Sequence, residues 1–343
     1  MFKISDFRSD TFTKPTAAMR AAMAAAEVGD DVFGEDPTIN KLEKLAAEIT
    51  GKEAALFVPT GTMGNSIAVK VWTKELEEVI VEERAHIYNM ESTQMTFISR
   101  VTPRPIKSQR GAMDPMEIEK NIRQAGLYVP QTSLICTENT HNNWSGAVVP
   151  LANLQEIRKL ADKYAIKVHM DGARIFNASV ASGVSVKEYA ATTDSMSFCF
   201  SKGLVAPVGS ILVGPKDFID YARRLRKALG GGMRQAGVLA AAAIIALTEM
   251  PARLKDDHRR AQQLAIALAV LPGIQLDPKN VETNIIIFSC NHPKISLSEL
   301  HAKLKEQGIL ASMVSGGMRF VTHHNVDDED VERAIAVFTK LLK

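Results

Sequence analysis

A lysine directly follows an apolar run in Met196-Ser197-Phe198-Cys199-Phe200-Ser201-Lys202-Gly203. At the carboxyl end of a buried strand, apolar neighbours strip Lys202 of the hydration that favours its charged form, and a neutral amine condenses with an aldehyde. Taken alone, a strand-end lysine is an ordinary solvated residue. A second group changes the reading, because an earlier strand-like run ends Val168-His169-Met170-Asp171-Gly172-Ala173-Arg174. If the two strands are neighbours, Asp171 and Lys202 project from one sheet edge, about 5 Å apart per strand interval. The third element, Gly61-Thr62-Met63-Gly64-Asn65, lies between the run Ala54–Val58 and a helical pattern extending to about Lys74. Backbone N–H groups at a helix start, with glycines permitting close approach, bind phosphate.

An amine, a carboxylate and a phosphate cup on one sheet edge suit pyridoxal phosphate, whose ring nitrogen and reactive carbon lie para to each other. The carboxylate would keep the ring nitrogen protonated and the lysine would bond to the aldehyde carbon. Near misses weaken the rivals. No Gly-Lys-Ser/Thr follows the glycine turn, and the Gly-x-Gly-x-x-Gly spacing of a dinucleotide fingerprint is absent. Gly183-Val184-Ser185-Val186-Lys187 lacks the last glycine of a hydrolase elbow.

The elements that must position these groups alternate. Strands are expected at Ala54–Val58, Glu78–Glu82, Thr132–Thr137, Lys167–Asp171, Ser195–Phe200 and Ser210–Val213, with helices between them. Leu151, Leu154, Ile157, Leu160 and Ala161 fall at helical spacing. The pattern predicts βαβ units and a mostly parallel sheet, with ligands gathered beyond the strands' carboxyl ends. After about Met250, helices at Pro251–Ala269, Ser296–Gln307 and Asp327–Leu342 alternate with short strands near Thr283–Phe288 and Arg319–Thr322. This predicts a large α/β domain over 1–250 and a smaller α+β domain over 251–343. A helix opened by Pro15 is expected to run to about Val28, and the segment 1–20 is expected against the small domain.

Composition excludes other classes. With 343 residues, 46% hydrophobic and 23% charged, the chain is neither disordered nor fibrous. A formal charge of +2 advertises neither nucleic acid nor an anionic membrane. The most apolar stretch, Ala236 to Thr248, is shorter than the ~20 residues of a membrane-crossing helix. Three cysteines, Cys136, Cys199 and Cys290, lack metal-ligand spacing and read as reduced thiols of a cytoplasmic protein.

Further segments join the three elements into a pattern in chain order: Phe7–Thr11, Glu27–Pro37, Glu53–Asn65, Glu138–Asn142, Asp171–Arg174, Phe198–Gly203 and Gly230–Gly237. Together they resemble the L-threonine aldolases of low-specificity or L-allo type, fold-type-I pyridoxal phosphate enzymes grouped with the β-eliminating lyases. The resemblance runs over nearly the whole length. It implies that Lys202 carries the cofactor, that Asp171 partners its ring nitrogen, and that Gly61 and Thr62 hold its phosphate. It implies that His86 stacks on the ring, and that Lys227 and Arg234 approach the phosphate, often from a neighbouring subunit. Arg319 stands where the family keeps the arginine for the substrate carboxylate. Arg174 and Ser9 match positions that orient that carboxylate or the cofactor's phenolic oxygen. Glu91 matches an acidic residue to which no role is assigned.

The implied reaction is retro-aldol cleavage of a β-hydroxy-α-amino acid to glycine and an aldehyde. The base for the β-hydroxyl proton is left open between His86, His141 and water, since imidazole titrates near neutral pH. No metal is expected, and a homotetramer built as a dimer of dimers is. β-Elimination and transamination stay open on the same fold type, as does a catalytically silent scaffold. Three departures bear on the pocket: Phe33 replaces a frequent tyrosine, Asn142–Gly146 is bulky, and Met90–Gln94 replaces a glycine-rich stretch.

Overall fold

The computed structural model describes residues 3–343. Seven strands form the large sheet: β1 (Ala54–Val58), β2 (Glu78–Glu82), β3 (Thr102–Ile106), β4 (Thr132–Glu138), β5 (Lys167–Asp171), β6 (Ser195–Cys199) and β7 (Ser210–Gly214). Their order is β1-β7-β6-β5-β4-β2-β3, and only β7 runs antiparallel to its neighbours. Sequence periodicity missed β3, which carries Pro103 and Pro105. It lies at the sheet edge, where the missing N–H donors break no central ladder.

Alternation along the strands sorts the two faces. Met170, Met196, Phe198, Ile211 and Val213 join Phe57 in a core on one side. Against it pack helices α1 (Ala17–Ala24), α2 (Pro37–Thr50) and α6 (Gly237–Thr248). Local signals set α2: Asp36 accepts from the N–H groups of Thr38 and Ile39, Pro37 opens the helix, and Gly51 ends it at φ +66°. In α6, alanines at 240, 242, 243 and 246 bring that apolar helix close to α1 and α2. No single helix among the described residues is long and apolar enough to cross a membrane, and α6 bends by 50° from the helical segment that follows it.

On the opposite face lie α3 (Gly61–Trp72) and α5 (Lys216–Ala228). Back on the face that Met170 shares with Val168, α4 (Leu151–Lys163) packs Leu160 and Ala161 on Val168 and adds Leu154 to the first core. Beneath α3 the sheet is polar, since His169 and Asp171 of β5 and Ser195 and Ser197 of β6 are all buried. A buried polar patch of this size must be hydrogen-bonded throughout.

The C-terminal segments build a second core around Leu264, Leu268, Ile286, Phe288, Phe320 and Phe338. The helix expected from Pro251 divides into a 3-10 turn, Pro251–Arg253, and helix α7 (Leu254–Ala269). The expected short strands lie at β9 (Ile285–Cys290) and β11 (Gly317–Val321), in a four-stranded antiparallel sheet with β8 (Ile274–Gln275) and β10 (Ser312–Val314). Ser5 and Asp6 pair with Ile309 and Leu310, and Phe7 sits in this second core, 5.3 Å from the Phe320 ring. The N-terminal segment thus passes beside β11 before reaching the large sheet, which brings Ser9 and Asp10 to the edge where Arg319 lies.

Candidate active site

A cleft of about 350 Å³ opens beyond the carboxyl ends of the parallel strands, lined by Gly61, Thr62, His86, Glu91, Asp171 and Lys202, among others. A larger surface groove of about 560 Å³ lies beside α2. Its charged side chains pair with one another, as in Arg223–Glu43 and Lys216–Asp220, and converge on no reactive group.

Strand pairing puts the amine and the carboxylate together. Asp171 lies opposite Ser197 on the adjacent parallel strand, and the chain leaves β6 to reach Lys202. The carbonyl of Lys202 accepts from Val205 N–H at 2.9 Å and Thr13 Oγ1 at 3.2 Å. Val205 holds a left-handed φ of +71°, a strained conformation for a β-branched residue. The half-buried Lys202 amine has no hydrogen-bond partner among the described residues.

Asp171 is buried and holds two donors: Ala173 N–H on Oδ1 at 3.0 Å and Asn65 Nδ2 on Oδ2 at 3.0 Å. Burial pushes its carboxyl up, but the charges of His86 and Lys202 and these donors outweigh that and hold it below its ordinary value. Asn65 Nδ2 also donates to Glu91 Oε1 at 2.9 Å. Burial and the Asp171 charge raise Glu91 against the pull of its His86 hydrogen bond, and its Oε2 is buried without a partner. Potential ligand atoms of His86, Glu91 and Asp171 lie within 4.8 Å of one another. N–H donors from Asn65 and His86 already point into that cluster, so hydrogen bonds take up its negative charge.

His86 is half-buried on the cleft wall. Its backbone N–H donates to Glu138 Oε2 at 2.6 Å, and its Nδ1 faces Glu91 Oε1 at 3.0 Å. That contact places the proton on Nδ1 and leaves Nε2 as the acceptor. Burial lowers the His86 pKa, but the Glu91 hydrogen bond and the Asp171 charge raise it overall. His141 is fully buried, with Nε2 on Glu82 at 2.9 Å and Nδ1 without a partner. Burial lowers it, the Glu138 and Glu82 charges prevail, and Glu82 falls to about 2 against its own burial.

The start of α3 offers a phosphate cup. Thr60 caps it by accepting from Met63 N–H at 3.1 Å, which leaves the N–H groups of Gly61 and Thr62 without helical partners. A side chain at position 61 would meet Cys199 Sγ at 3.0 Å, so the loop packs down on the sheet. With a partnerless amine, a carboxylate held ionised and free N–H groups in one cleft, the residues fit pyridoxal phosphate.

A cationic corner adjoins. Arg174 grips Asp10 at two points, 2.8 and 2.7 Å, with both residues buried. Burial opposes ionisation of Asp10, yet Arg174 holds that carboxyl well below the usual range. Arg319 makes only long contacts, to Asn142 Oδ1 at 3.3 Å and the Arg8 carbonyl at 3.4 Å, and its Nε is buried without a partner. Ser9 caps a short turn by accepting from Thr11 N–H at 3.2 Å. Lys227 and Arg234 are exposed and lie outside the lining of this chain's cleft. Arg234 pairs with Asp30 at 2.8 Å, and its guanidinium lies 6.0 Å from the exposed Phe33 ring.

Sequence reasoning did not single out Asn65, Asp10 or Asn142, and it gave Glu91 no role. All four fall within or beside quoted motifs, but their partners lie far along the chain.

Comparison with known proteins adds to this geometry. Residues 6–291 match the family model described as beta-eliminating lyase. The chain is 48% identical to a probable low-specificity L-threonine aldolase 2 of Arabidopsis thaliana, over 98% of this chain and 96% of the relative. It is 40% identical to a low specificity L-threonine aldolase of Escherichia coli K12, over 96% of this chain and 97% of the relative. A solved Leishmania major threonine aldolase, 20% identical, shares the fold with a TM-score of 0.83, covering 99% of this chain and all of that one.

Proposed function

The chain belongs to the beta-eliminating lyase family, and from that membership we propose a pyridoxal phosphate-dependent aldolase that cleaves L-threonine and L-allo-threonine to glycine and acetaldehyde. The observation that carries this reading is the convergence of Lys202, Asp171 and the α3 N-terminus on one cleft, with the incompletely paired Arg319 in the adjoining corner.

When bound, pyridoxal phosphate draws electron density from the substrate's α-carbon. Lys202 would supply the amine that holds its aldehyde carbon, and Asp171 would keep its ring nitrogen protonated. Gly61 and Thr62 hold its phosphate through backbone N–H groups. Arg319 would take the substrate carboxylate and, by fixing it, would select which bond at the α-carbon is presented for cleavage. His86 lines the cleft with its Nδ1 held by Glu91, and its remaining nitrogen, Nε2, would take the β-hydroxyl proton, directly or through one water. His141 suits that role less, because its ring is sealed from the cleft and braced on Glu82. Ser9 and Arg174 support the corner that Arg319 completes. Lys227 and Arg234 serve the phosphate of a neighbouring copy, in a cytoplasmic homotetramer.

The test is product analysis. L-threonine incubated with the holoenzyme is expected to yield glycine and acetaldehyde in equal amounts. A 2-oxo acid with ammonia would instead assign β-elimination.

A further inference from the structure

Resting on the cofactor reading above, we propose that a one-directional hydrogen-bond relay from Trp72 through Ser195 and His169 locks Asn65 as a clamp that keeps Asp171 ionised beside Glu91. None of the first three residues lines the cleft, so they act as positioning residues.

The relay lies under α3, on the polar patch of the sheet. Trp72 Nε1 is 2.8 Å from Ser195 Oγ, which is 2.9 Å from His169 Nδ1. His169 Nε2 is 3.1 Å from Asn65 Oδ1, which also accepts from Ser197 Oγ at 2.6 Å. Register explains the alignment: His169 pairs with Ser195 and Asp171 with Ser197, so all four side chains share one sheet face, and Asn65 comes down onto them from α3.

Both ends of the relay are fixed by chemistry. The indole N–H can only donate, and an ionised carboxylate can only accept. At the site end, Asn65 must therefore present its amide nitrogen to Glu91 and Asp171 and turn its oxygen to His169. His169 must then carry its proton on Nε2, and its bare Nδ1 must accept from Ser195. Ser195 has a single proton, gives it to His169, and accepts from Trp72. Every member is satisfied in one direction only. His169 must be neutral for this, and burial lowers its pKa to about 4.

The clamp matters because two buried carboxyl groups share one amide nitrogen at 2.9 and 3.0 Å. Reversing Asn65 would set its carbonyl against both and favour a proton on Asp171, which would remove the anion that the ring nitrogen needs. Trp72 anchors the far end by stacking on Phe218 at 4.6 Å.

The test has one arm without cofactor. In 15N-histidine spectra of the apoprotein near pH 7.5, the resonance lost in His169→Gln is expected to report a neutral ring protonated at Nε2. A proton on Nδ1, donated toward Ser195, would overturn the relay whatever the cofactor proves to be. In the second arm, pyridoxal phosphate is titrated into apoprotein variants that retain wild-type circular dichroism. Asn65→Ala and His169→Leu are expected to bind about tenfold or more weakly, the loss that follows when a buried acceptor is left unpaired. His169→Gln keeps a donor at the Nε2 position and is expected to restore binding to within about threefold. Equal binding by His169→Leu and His169→Gln would overturn the proposal. Wild-type protein that binds no cofactor would refute the cofactor reading and leave the tautomer result standing.

Discussion

Arg174 and Arg319 share one acceptor: Asn142 Oδ1 receives a hydrogen bond from Nη1 of each, at 3.2 and 3.3 Å. The two guanidinium groups are otherwise unequal. Arg174 is neutralised by its two-point grip on Asp10, whereas Arg319 has no carboxylate partner among the described residues. Burial first, and then the Arg174 charge, disfavour the cationic form of Arg319. A half-buried cation with a bare Nε and two long contacts can receive an anion, as its proposed role in holding an amino acid's α-carboxylate requires.

Arg319→Lys keeps the charge and loses the planar fork. The Michaelis constant for L-threonine is expected to rise about tenfold or more, with little change in thermal stability. Steady-state kinetics check this, and an unchanged Michaelis constant would move carboxylate binding elsewhere.

Asp10→Asn leaves the buried Arg174 charge without its counterion, at an expected loss of about 3–5 kcal/mol near neutral pH. Because Arg174 depresses the Asp10 pKa, the pair stabilises the fold above the unfolded carboxyl value of about 4. That contribution fades as pH falls through the depressed folded value. The stability gap between wild type and variant, measured by urea unfolding at pH 7 and pH 3, is therefore expected to narrow on acidification. A gap that widens would contradict the ion pair.

The third expectation concerns the base. His86 must be unprotonated to accept the hydroxyl proton, so kcat/KM is expected to rise with pH through a His86 pKa lying above the ordinary value of about 6.5. Burial lowers that pKa, while the Glu91 hydrogen bond and the charges of Asp171, Glu91 and Glu138 raise it. Glu91→Gln removes two of the raising influences, so the acidic limb is expected to move to lower pH by roughly one unit. His86→Phe is expected to reduce kcat about 10²–10⁴-fold. Retention of the wild-type pH limb in Glu91→Gln would show that another group sets it.

Much of the cleft was legible because its chemistry is local to strand ends. The runs ending at Asp171 and preceding Lys202 read as strands, and the pairing of Asp171 with Ser197 makes them neighbours. The Gly61 turn was legible for the same reason. The partners were not. Asp10 meets Arg174 across 164 residues, and Asn65 meets Asp171 across 106, distances over which no periodicity speaks. β3 was hidden by Pro103 and Pro105, which the sheet tolerates only because the strand is an edge. α2 was missed although Asp36-Pro37 and Gly51 are readable start and stop signals. Lys227 and Arg234 gain no place in this chain's cleft, so the roles proposed for them require a second copy.

The most direct measurement is borohydride reduction of the protein loaded with pyridoxal phosphate, followed by peptide mapping. A single stable adduct on the peptide containing Lys202 is expected, absent from a folded Lys202→Ala variant that also lacks cleavage activity. An adduct on a different lysine, or full turnover by Lys202→Ala, would contradict the assignment of the cleft.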